Sequence, residues 1–173
     1  MSLDSLAAEI CRCKKCRLWM NSKNAVPGEG PADARVMLIG QNPGAEEDKT
    51  GRPFVGRSGR FLDSMLRRNE VDRRELFITG VVKHTSPGNR MPKKDEVEAC
   101  MPYTLKQIEL IKPKIIVLMG ALAKTLPKQE GIIYVTTVHP AAAMRFEKNK
   151  KTFEEDMVKF GELYKASQKT HTF

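Results

Sequence analysis

Four short runs of valine, isoleucine and leucine recur along the chain and predict four β-strands. The runs cover residues 35–40, 76–83, 114–120 and 132–138. Continuous apolar runs of this length suit strands that are covered on both faces, as in parallel sheets. We therefore expect a mainly parallel sheet in the interior of the molecule.

Segments with the helical spacing of apolar residues lie between and after these runs. One covers residues 61–66, a second covers 97–110 and stops before Pro113, and a third covers 153–165. Strands that alternate with helices are typical of an α/β fold. The chain has no internal repeat and no linker rich in proline, glycine or serine, so we expect one domain over residues 1–173.

The positive net charge of the chain is compatible with a nucleic-acid partner but does not require one. Of the 173 residues 40% are apolar, which suffices for one compact core. Lys and Arg total 30 against 21 acidic residues, a formal charge of +9. This charge suits DNA or RNA, and it equally suits a well-solvated basic surface, because the basic residues are spread along the chain.

The N-terminus and the cysteines indicate the cellular compartment and a candidate metal site. The N-terminus lacks the pattern of a secretory signal and no segment is long enough to span a membrane, so we expect a cytoplasmic protein that contacts no membrane. We also expect a monomer. Cysteines rarely form structural disulfides in a reducing compartment. Cys11, Cys13 and Cys16 lie together and Cys100 lies far away, and this uneven spacing indicates a metal ion or a cluster.

Ligands of parallel sheets bind at the carboxyl ends of strands, which here points to residues 40–44, 82–84 and 139–140. A second turn-forming segment, 51–56, follows closely and offers Phe54 as a flat apolar platform. Taken alone these features are weak, because a Pro-Gly turn is usually only a turn and an isolated phenylalanine usually belongs to the core.

An ordered set of motifs covers most of the chain, from about Cys13 to Arg145. It consists of Cys13-x-x-Cys16-x-Leu18, Val26-x-Gly28-Glu29-Gly30, Gly40-Gln41-Asn42-Pro43-Gly44, Gly51-Arg52-Pro53-Phe54-Val55-Gly56, Val81-Val82-Lys83-His84, Pro87-x-Asn89-Arg90-x-Pro92, Glu96, Cys100, Pro113, Gly120 and His139-Pro140-Ala141-Ala142. In kind and order these motifs resemble those of the family-4 uracil-DNA glycosylases, the iron–sulfur branch of the uracil-DNA glycosylase superfamily. The resemblance implies a three-layer α/β/α sandwich with a four-stranded parallel sheet.

The activity that the resemblance implies is that of a monofunctional glycosylase of DNA base-excision repair. Such an enzyme hydrolyses the N-glycosidic bond of uracil in DNA and leaves an abasic site. The base must first be rotated out of the duplex, because its sugar carbon is shielded inside the stack. By resemblance, Phe54 stacks on the flipped base and His139 donates a hydrogen bond to a base oxygen, where negative charge develops as the bond breaks.

The first motif departs from the family pattern at Gln41. Family-4 enzymes usually carry a glutamate there, which is thought to orient or activate the attacking water, and an amide cannot take a proton. Asn42 makes the segment resemble the Gly-x-Asn-Pro-Gly motif of the mismatch-specific branch, in which the asparagine positions water. We therefore expect Asn42 to align the water, with Gln41 as its helper.

A second departure lies at Gly80, where family-4 enzymes normally carry an asparagine that reads the base edge. With Gly40 and Phe54, Gly80 is expected to form the base site. The missing side chain removes a discriminating hydrogen bond and leaves room for a larger group such as a methyl. Thymine or a modified pyrimidine opposite guanine therefore joins uracil as a candidate substrate.

The resemblance also implies ligands for a [4Fe–4S] cluster. The third cluster cysteine of the family is replaced here by His84, so the expected ligands are Cys13, Cys16, His84 and Cys100. Histidine replaces cysteine on iron in known clusters and usually raises the reduction potential. Cys11 is an alternative to His84, and the same set of three cysteines and one histidine would also suit structural zinc.

Basic residues near the expected mouth of the site are candidates for phosphate contacts. These are Arg52, Arg57, Lys83, Arg90 and Arg145. In the stretch after His139, Met144 or Arg145 is a candidate for the side chain that enters the gap left in the duplex.

Two other functions stay open at the level of the sequence. The first is a cluster-containing DNA-binding protein of the same fold with impaired catalysis, motivated by Gln41 and Gly80 together. The second is a zinc-stabilised α/β enzyme that acts on small molecules, which rests on the cysteine and histidine residues alone.

Overall fold

The computed structural model describes residues 1–169, and a four-stranded sheet lies at its centre. The strands are β1 (Val36–Gly40), β2 (Leu76–Gly80), β3 (Ile115–Met119) and β4 (Ile133–Thr137). Their order is β2-β1-β3-β4, and all three neighbouring pairs are parallel. The predicted four-stranded parallel sheet is therefore confirmed.

Six α-helices surround the sheet within the described residues. They are α1 (Leu3–Cys11), α2 (Ala45–Thr50), α3 (Arg57–Arg68), α4 (Lys94–Ile111), α5 (Pro140–Arg145) and α6 (Glu147–Lys169). In this part of the chain no helix combines the length and the apolar character that a membrane crossing requires.

The side chains of β1 divide between two hydrophobic cores because successive residues of a strand point to opposite faces. Met37 and Ile39 pack in the core covered by α1 and α4, whereas Val36 and Leu38 pack in the core covered by α3, α5 and α6. Helices thus cover both faces of the sheet. This is the three-layer α/β/α arrangement that the resemblance implied.

Strand β2 ends earlier than the apolar run 76–83 predicts. After Gly80 the chain leaves the sheet, although the N–H groups of Val81 and Val82 still bond to the carbonyls of Gly40 and Gln41. The hydroxyl of Thr104 on α4 lies 3.2 Å from the carbonyl oxygens of both Gly80 and Val81, to which it donates a hydrogen bond. The segment from Val81 onwards therefore turns towards α4.

The helices also extend beyond their periodic segments. Helix α6 spans Glu147–Lys169, whereas apolar periodicity marks only 153–165. Its first turns are rich in lysine, so they carry no apolar signal. Helix α2 was not expected, because its six residues Ala45–Thr50 are almost all polar.

Candidate active site

The loops that follow β1, β2 and β4 meet at one edge of the sheet and line a cavity of about 100 Å³. We call this the strand-end cavity. Its wall includes Gln41, Asn42, Phe54, Gly80, Asn89 and His139. Segments that are distant in sequence come together here because parallel strands all end at the same edge.

The carboxylate of Glu47 joins the loop after β1 to the loop before α3. Oε1 accepts the N–H of Gly44 at 3.0 Å, and Oε2 accepts the N–H groups of Val55 and Gly56 at 2.9 and 2.6 Å. Hydrogen bonds to a charged acceptor are stronger than neutral ones, so this side chain fixes the spacing of the two loops. Sequence reasoning noted only an acidic segment here, although a glutamate three residues into a helix is a known capping signal.

Phe54 lies against His139 in the wall of the cavity. The ring centroids are 5.7 Å apart and the planes meet at 28°. Phe54 has a φ of 49°, a left-handed conformation that is strained for an aromatic residue. Arg73 supports it by donating to the carbonyls of Phe54 and Pro53 at 2.9 and 2.7 Å. A Cβ at Gly40 would meet the ring at 2.6 Å, so only glycine lets the ring lie over the end of β1.

His139 caps the N-terminus of α5 and is a neutral donor. Its Nδ1 accepts the N–H of Ala141 at 3.0 Å, so the proton of the neutral ring lies on Nε2. Burial lowers the pKa of His139 to about 4, against a smaller raising effect from the charge of Glu47. At neutral pH the ring therefore offers an N–H donor without a positive charge.

Asn42 presents an oxygen with no donor from the described residues. Its Nδ2 donates to Ser86 Oγ at 3.2 Å, and Ser86 in turn donates to the carbonyl of Arg90. Since the hydroxyl hydrogen of Ser86 is used, Ser86 must accept from Asn42, which fixes the orientation of the amide. Oδ1 of Asn42 is then available to a ligand or a water.

Besides Asn42, the side-chain amides of Gln41 and Asn89 lie in the wall of the strand-end cavity. Gln41 packs beside Gly120, and its Oε1 is buried with no hydrogen-bond partner among residues 1–169. Asn89 enters the wall from a short 3-10 turn, Pro87–Asn89, with a φ of 55°. The sequence marked the motif around Asn89 but assigned it no role, because the turn that directs its side chain depends on the fold.

The expected phosphate contact of Lys83 is wrong. Its side chain is 1% exposed, and Nζ donates to Thr79 Oγ1, the Gly80 carbonyl and Gln107 Oε1 at 2.7, 2.7 and 2.8 Å. Burial lowers the pKa of Lys83 to about 7. Lys83 thus lies behind the cavity wall and cannot reach a phosphate at the surface.

The other expected DNA contacts lie at the surface, in different settings. Arg57 and Arg145 are exposed, as is Met144 at the end of α5. Arg90 pairs with the buried carboxylate of Glu96 at 2.7 Å. Arg52 is bound to Glu29 through two hydrogen bonds of 2.9 Å, and it lines a separate depression at the edge of β2. Met144 and Arg145 therefore have the most direct connection to the site, through the helix that begins after His139.

The four expected cluster ligands line a second and much smaller cavity, of about 10 Å³. We call it the cysteine cavity, and its wall includes Cys13, Cys16, His84 and Cys100. Backbone N–H groups point at two of the sulfurs, from Lys83 to Cys100 at 3.1 Å and from Lys15 to Cys13 at 3.5 Å. Cys11 is exposed at the end of α1 and does not line this cavity. The fold thus brings His84, and not Cys11, to the other three.

The side chains of the cysteine cavity do not form a preformed site for a single metal ion. Within residues 1–169, no three cysteine, histidine or acidic side chains stand close enough to hold a single metal ion. Burial lowers the pKa of His84 and keeps its ring in the neutral form that binds metals.

Known proteins of one superfamily match most of the chain. A model of the Uracil DNA glycosylase superfamily matches residues 27–160. The type-4 uracil-DNA glycosylase of Sulfurisphaera tokodaii is 41% identical over 94% of this chain and 84% of that protein. The type-4 enzyme of Pyrobaculum aerophilum is 40% identical over 92% of this chain and 93% of that protein. A type-5 uracil-DNA glycosylase of the same organism is 32% identical over 70% of this chain and 60% of its own length.

We predict that His139 is neutral at pH 7 with its proton on Nε2, and that it titrates near pH 4 in the folded protein. Nitrogen-15 NMR of the histidine rings measures both properties, and His139→Gln assigns the signals. Since the folded pKa lies below the ordinary value, protons favour the unfolded chain as the pH falls from about 6.5 towards 4. The wild type should therefore lose stability relative to His139→Gln in that window. A midpoint near 6.5 or an Nδ1–H tautomer would contradict the assignment.

Proposed function

The chain belongs to the type-4 family of the uracil-DNA glycosylase superfamily, and we propose that it excises uracil from DNA by hydrolysis of the N-glycosidic bond. The observation that carries this proposal is the pairing of Phe54 with a neutral His139 in the strand-end cavity. One side chain offers a flat surface for a base, and the other offers a hydrogen-bond donor beside it.

The donor would act on the charge that develops during bond cleavage. When the bond between sugar and base breaks, its electron pair remains on the base, so a base oxygen becomes more negative. Nε2–H of His139 stabilises that oxygen more in the transition state than in the ground state, which is what lowers the barrier. The ring of Phe54, held by Arg73 and the Gly40 backbone, keeps the base in place by stacking.

Asn42 would align the attacking water. Its Oδ1 is the acceptor that Ser86 leaves free, and a water held there is positioned without being deprotonated. Gln41 lines the same cavity and acts as its helper. Because an oxocarbenium-like transition state needs little nucleophilic assistance, an aligned water suffices for hydrolysis.

The product would be an abasic site in an uncut strand. No lysine lines the strand-end cavity within residues 1–169, and Lys83 is bound behind its wall. An amine that could attack the sugar carbon is therefore lacking from this wall. This supports monofunctional hydrolysis over combined excision and strand cleavage.

The range of target bases follows from Gly80. At this position the cavity wall is backbone, and the Gly80 carbonyl is occupied by Lys83 and Thr104. No side chain here reads the base edge or blocks a 5-methyl group. We therefore propose that thymine mispaired with guanine is a second, slower substrate.

The DNA would be held near the exposed end of α5. Met144 is the candidate for entry into the duplex gap, and Arg145, Arg57 and Arg90 are candidates for phosphates. Arg52 would have to leave its pair with Glu29 to join them.

We further propose that Cys13, Cys16, His84 and Cys100 hold a [4Fe–4S] cluster. The donor set, the shared cavity and the N–H groups directed at two sulfurs fit such a group. The same donor set would also suit structural zinc, and the resemblance to the iron–sulfur branch favours the cluster. When bound, the cluster supplies structural cross-linking, because it joins the N-terminal arm to α4 and to the segment after β2.

Excision is tested on duplexes carrying U·G, U·A and T·G pairs, with alkali to reveal abasic sites. We expect product with uracil and slower product with T·G. His139→Ala should lower the single-turnover rate by about 100-fold, and Asn42→Ala by about 10-fold or more, with little change in duplex affinity. Lys94→Ala, at a side chain that is 91% exposed, is the control. Duplex binding without excision would instead support the catalytically impaired DNA-binding protein.

The cluster is tested by iron and sulfide analysis of protein purified without oxygen. We expect about four iron atoms per chain, and His84→Cys should keep the iron and lower the reduction potential, since histidine ligation raises it. Cys11→Ser should change neither quantity. A colourless, zinc-rich preparation would overturn the assignment.

A further inference from the structure

Three large apolar side chains lie exposed on two segments outside the strand-end cavity. Trp19 and Met20 belong to a 3-10 turn, Arg17–Asn21, and are 38% and 61% exposed. Met91, in the loop 85–92 before α4, is 55% exposed. Because burial of such side chains is favourable, a cluster of them on a folded surface indicates a binding partner.

Ion pairs and a polar contact hold the two segments side by side. Arg17 and Arg90 both contact the buried carboxylate of Glu96, at 3.8 and 2.7 Å. Immediately after the turn, the hydroxyl of Ser22 lies 3.4 Å from the carbonyl oxygen of Thr85. The turn and the loop therefore form one surface, which we call the tryptophan surface.

The loop 85–92 also reaches the strand-end cavity. Asn42 Nδ2 donates to Ser86 Oγ at 3.2 Å, and Asn89 lies in the cavity wall. Met91 follows two residues later, so the tryptophan surface adjoins the mouth of the cavity. A DNA strand with one nucleotide in the cavity would therefore continue across this surface.

The charge of the tryptophan surface favours a polyanion. Residues 10–28 contain no aspartate or glutamate and five basic residues, which are Arg12, Lys14, Lys15, Arg17 and Lys23. Lys15 pairs with Glu9 and Arg17 with Asp95, whereas among residues 1–169 no carboxylate pairs with the other three. These three charges complement the phosphates of a DNA strand.

Trp19 has a cation directly beside its ring. Lys14 Nζ lies 4.7 Å from the ring centroid. Proteins hold single-stranded nucleic acid with such pairs, because a base stacks on the ring and the cation attracts a phosphate. A paired duplex keeps its bases inside the stack, and protein interfaces are poor in lysine, so both fit this surface less well.

We propose that Trp19 stacks on an unpaired base of the DNA strand beside the target nucleotide. Met20 and Met91 contact the neighbouring bases, and Lys14 binds a phosphate. The inference goes beyond excision, because it assigns a second binding site that selects single-stranded DNA. It rests on the proposed function only for the position of the target nucleotide.

The affinity of the iron-containing protein for labelled oligothymidylate, with 2′-fluoro-2′-deoxyuridine at its centre, tests this site. Trp19→Ala should weaken binding by on the order of 10-fold, which is typical of a lost base–aromatic stack. Trp19→Phe should keep most of the affinity, because phenylalanine also stacks on bases. A fully paired duplex with the same analogue should lose much less, since its flanking bases cannot reach Trp19.

An oligonucleotide with abasic sites in place of the flanking thymidines separates stacking from charge, because it keeps the phosphates and lacks the bases. The wild type should bind it on the order of 10-fold more weakly than oligothymidylate, and Trp19→Ala should cause no further loss. Trp19 is the only tryptophan of the chain, so its emission reports the contact directly. Oligothymidylate should change this emission more than the abasic strand does.

Two further variants control for structure. Val158→Ala removes another exposed apolar side chain, on α6, and should leave every affinity unchanged. Melting temperature and iron content show whether Trp19→Ala is folded, because Trp19 lies three residues after Cys16. If it is not folded, Met91→Ala carries the comparison between the thymidine and abasic strands.

The outcomes distinguish this inference from the proposed function. Unchanged affinity of Trp19→Ala for oligothymidylate, or equal losses on the thymidine and abasic strands, would overturn the inference and leave the surface to a protein partner or to phosphates alone. If the protein excises no uracil but binds single strands through Trp19, the proposed function fails and the second binding site stands.

Discussion

The site depends on one carboxylate that accepts three backbone N–H groups. Glu47 binds Gly44 on one loop and Val55 and Gly56 on the other, so the turn that carries Gln41 and Asn42 cannot move independently of Phe54. Without this bridge, two loops rich in glycine and proline would have no fixed separation. The strain at Phe54, with its φ of 49°, is tolerated because the carboxylate and Arg73 hold the backbone on both sides.

Burial lowers the pKa of two side chains at or behind the wall of the strand-end cavity, His139 and Lys83. Burial keeps His139 neutral, so in the proposed reaction its Nε2–H would face both the uncharged substrate and the nascent anion. The buried side chain of Lys83 lies behind the wall, out of reach of a phosphate at the surface. Lys83 also connects the two cavities, because its backbone N–H reaches Cys100 while its Nζ reaches Gly80. One residue therefore contacts the walls of both cavities.

The sequence was sufficient for those features that local patterns determine. Strands β1 and β3 are buried on both faces, so their apolar runs are unambiguous, and the order of motifs placed His139 and Phe54 at one edge. The orientation of Lys83 was not accessible, because it depends on Gln107, which lies 24 residues further along the chain on α4. The end of β2 was not predicted correctly for the same reason, because the hydrogen bond from Thr104 of α4 to the carbonyl of Gly80 is not visible in the local sequence.

The central claim is that a flipped base stacks on Phe54 and accepts a hydrogen bond from the Nε2–H of His139. The most direct test is a crystal structure of the protein on duplex DNA that contains 2′-fluoro-2′-deoxyuridine, whose glycosidic bond resists hydrolysis. We expect the uracil ring outside the duplex, stacked on Phe54, with a base oxygen within hydrogen-bond distance of His139 Nε2. A uracil bound in another part of the surface, or a complex in which His139 contacts only phosphate, would contradict the account.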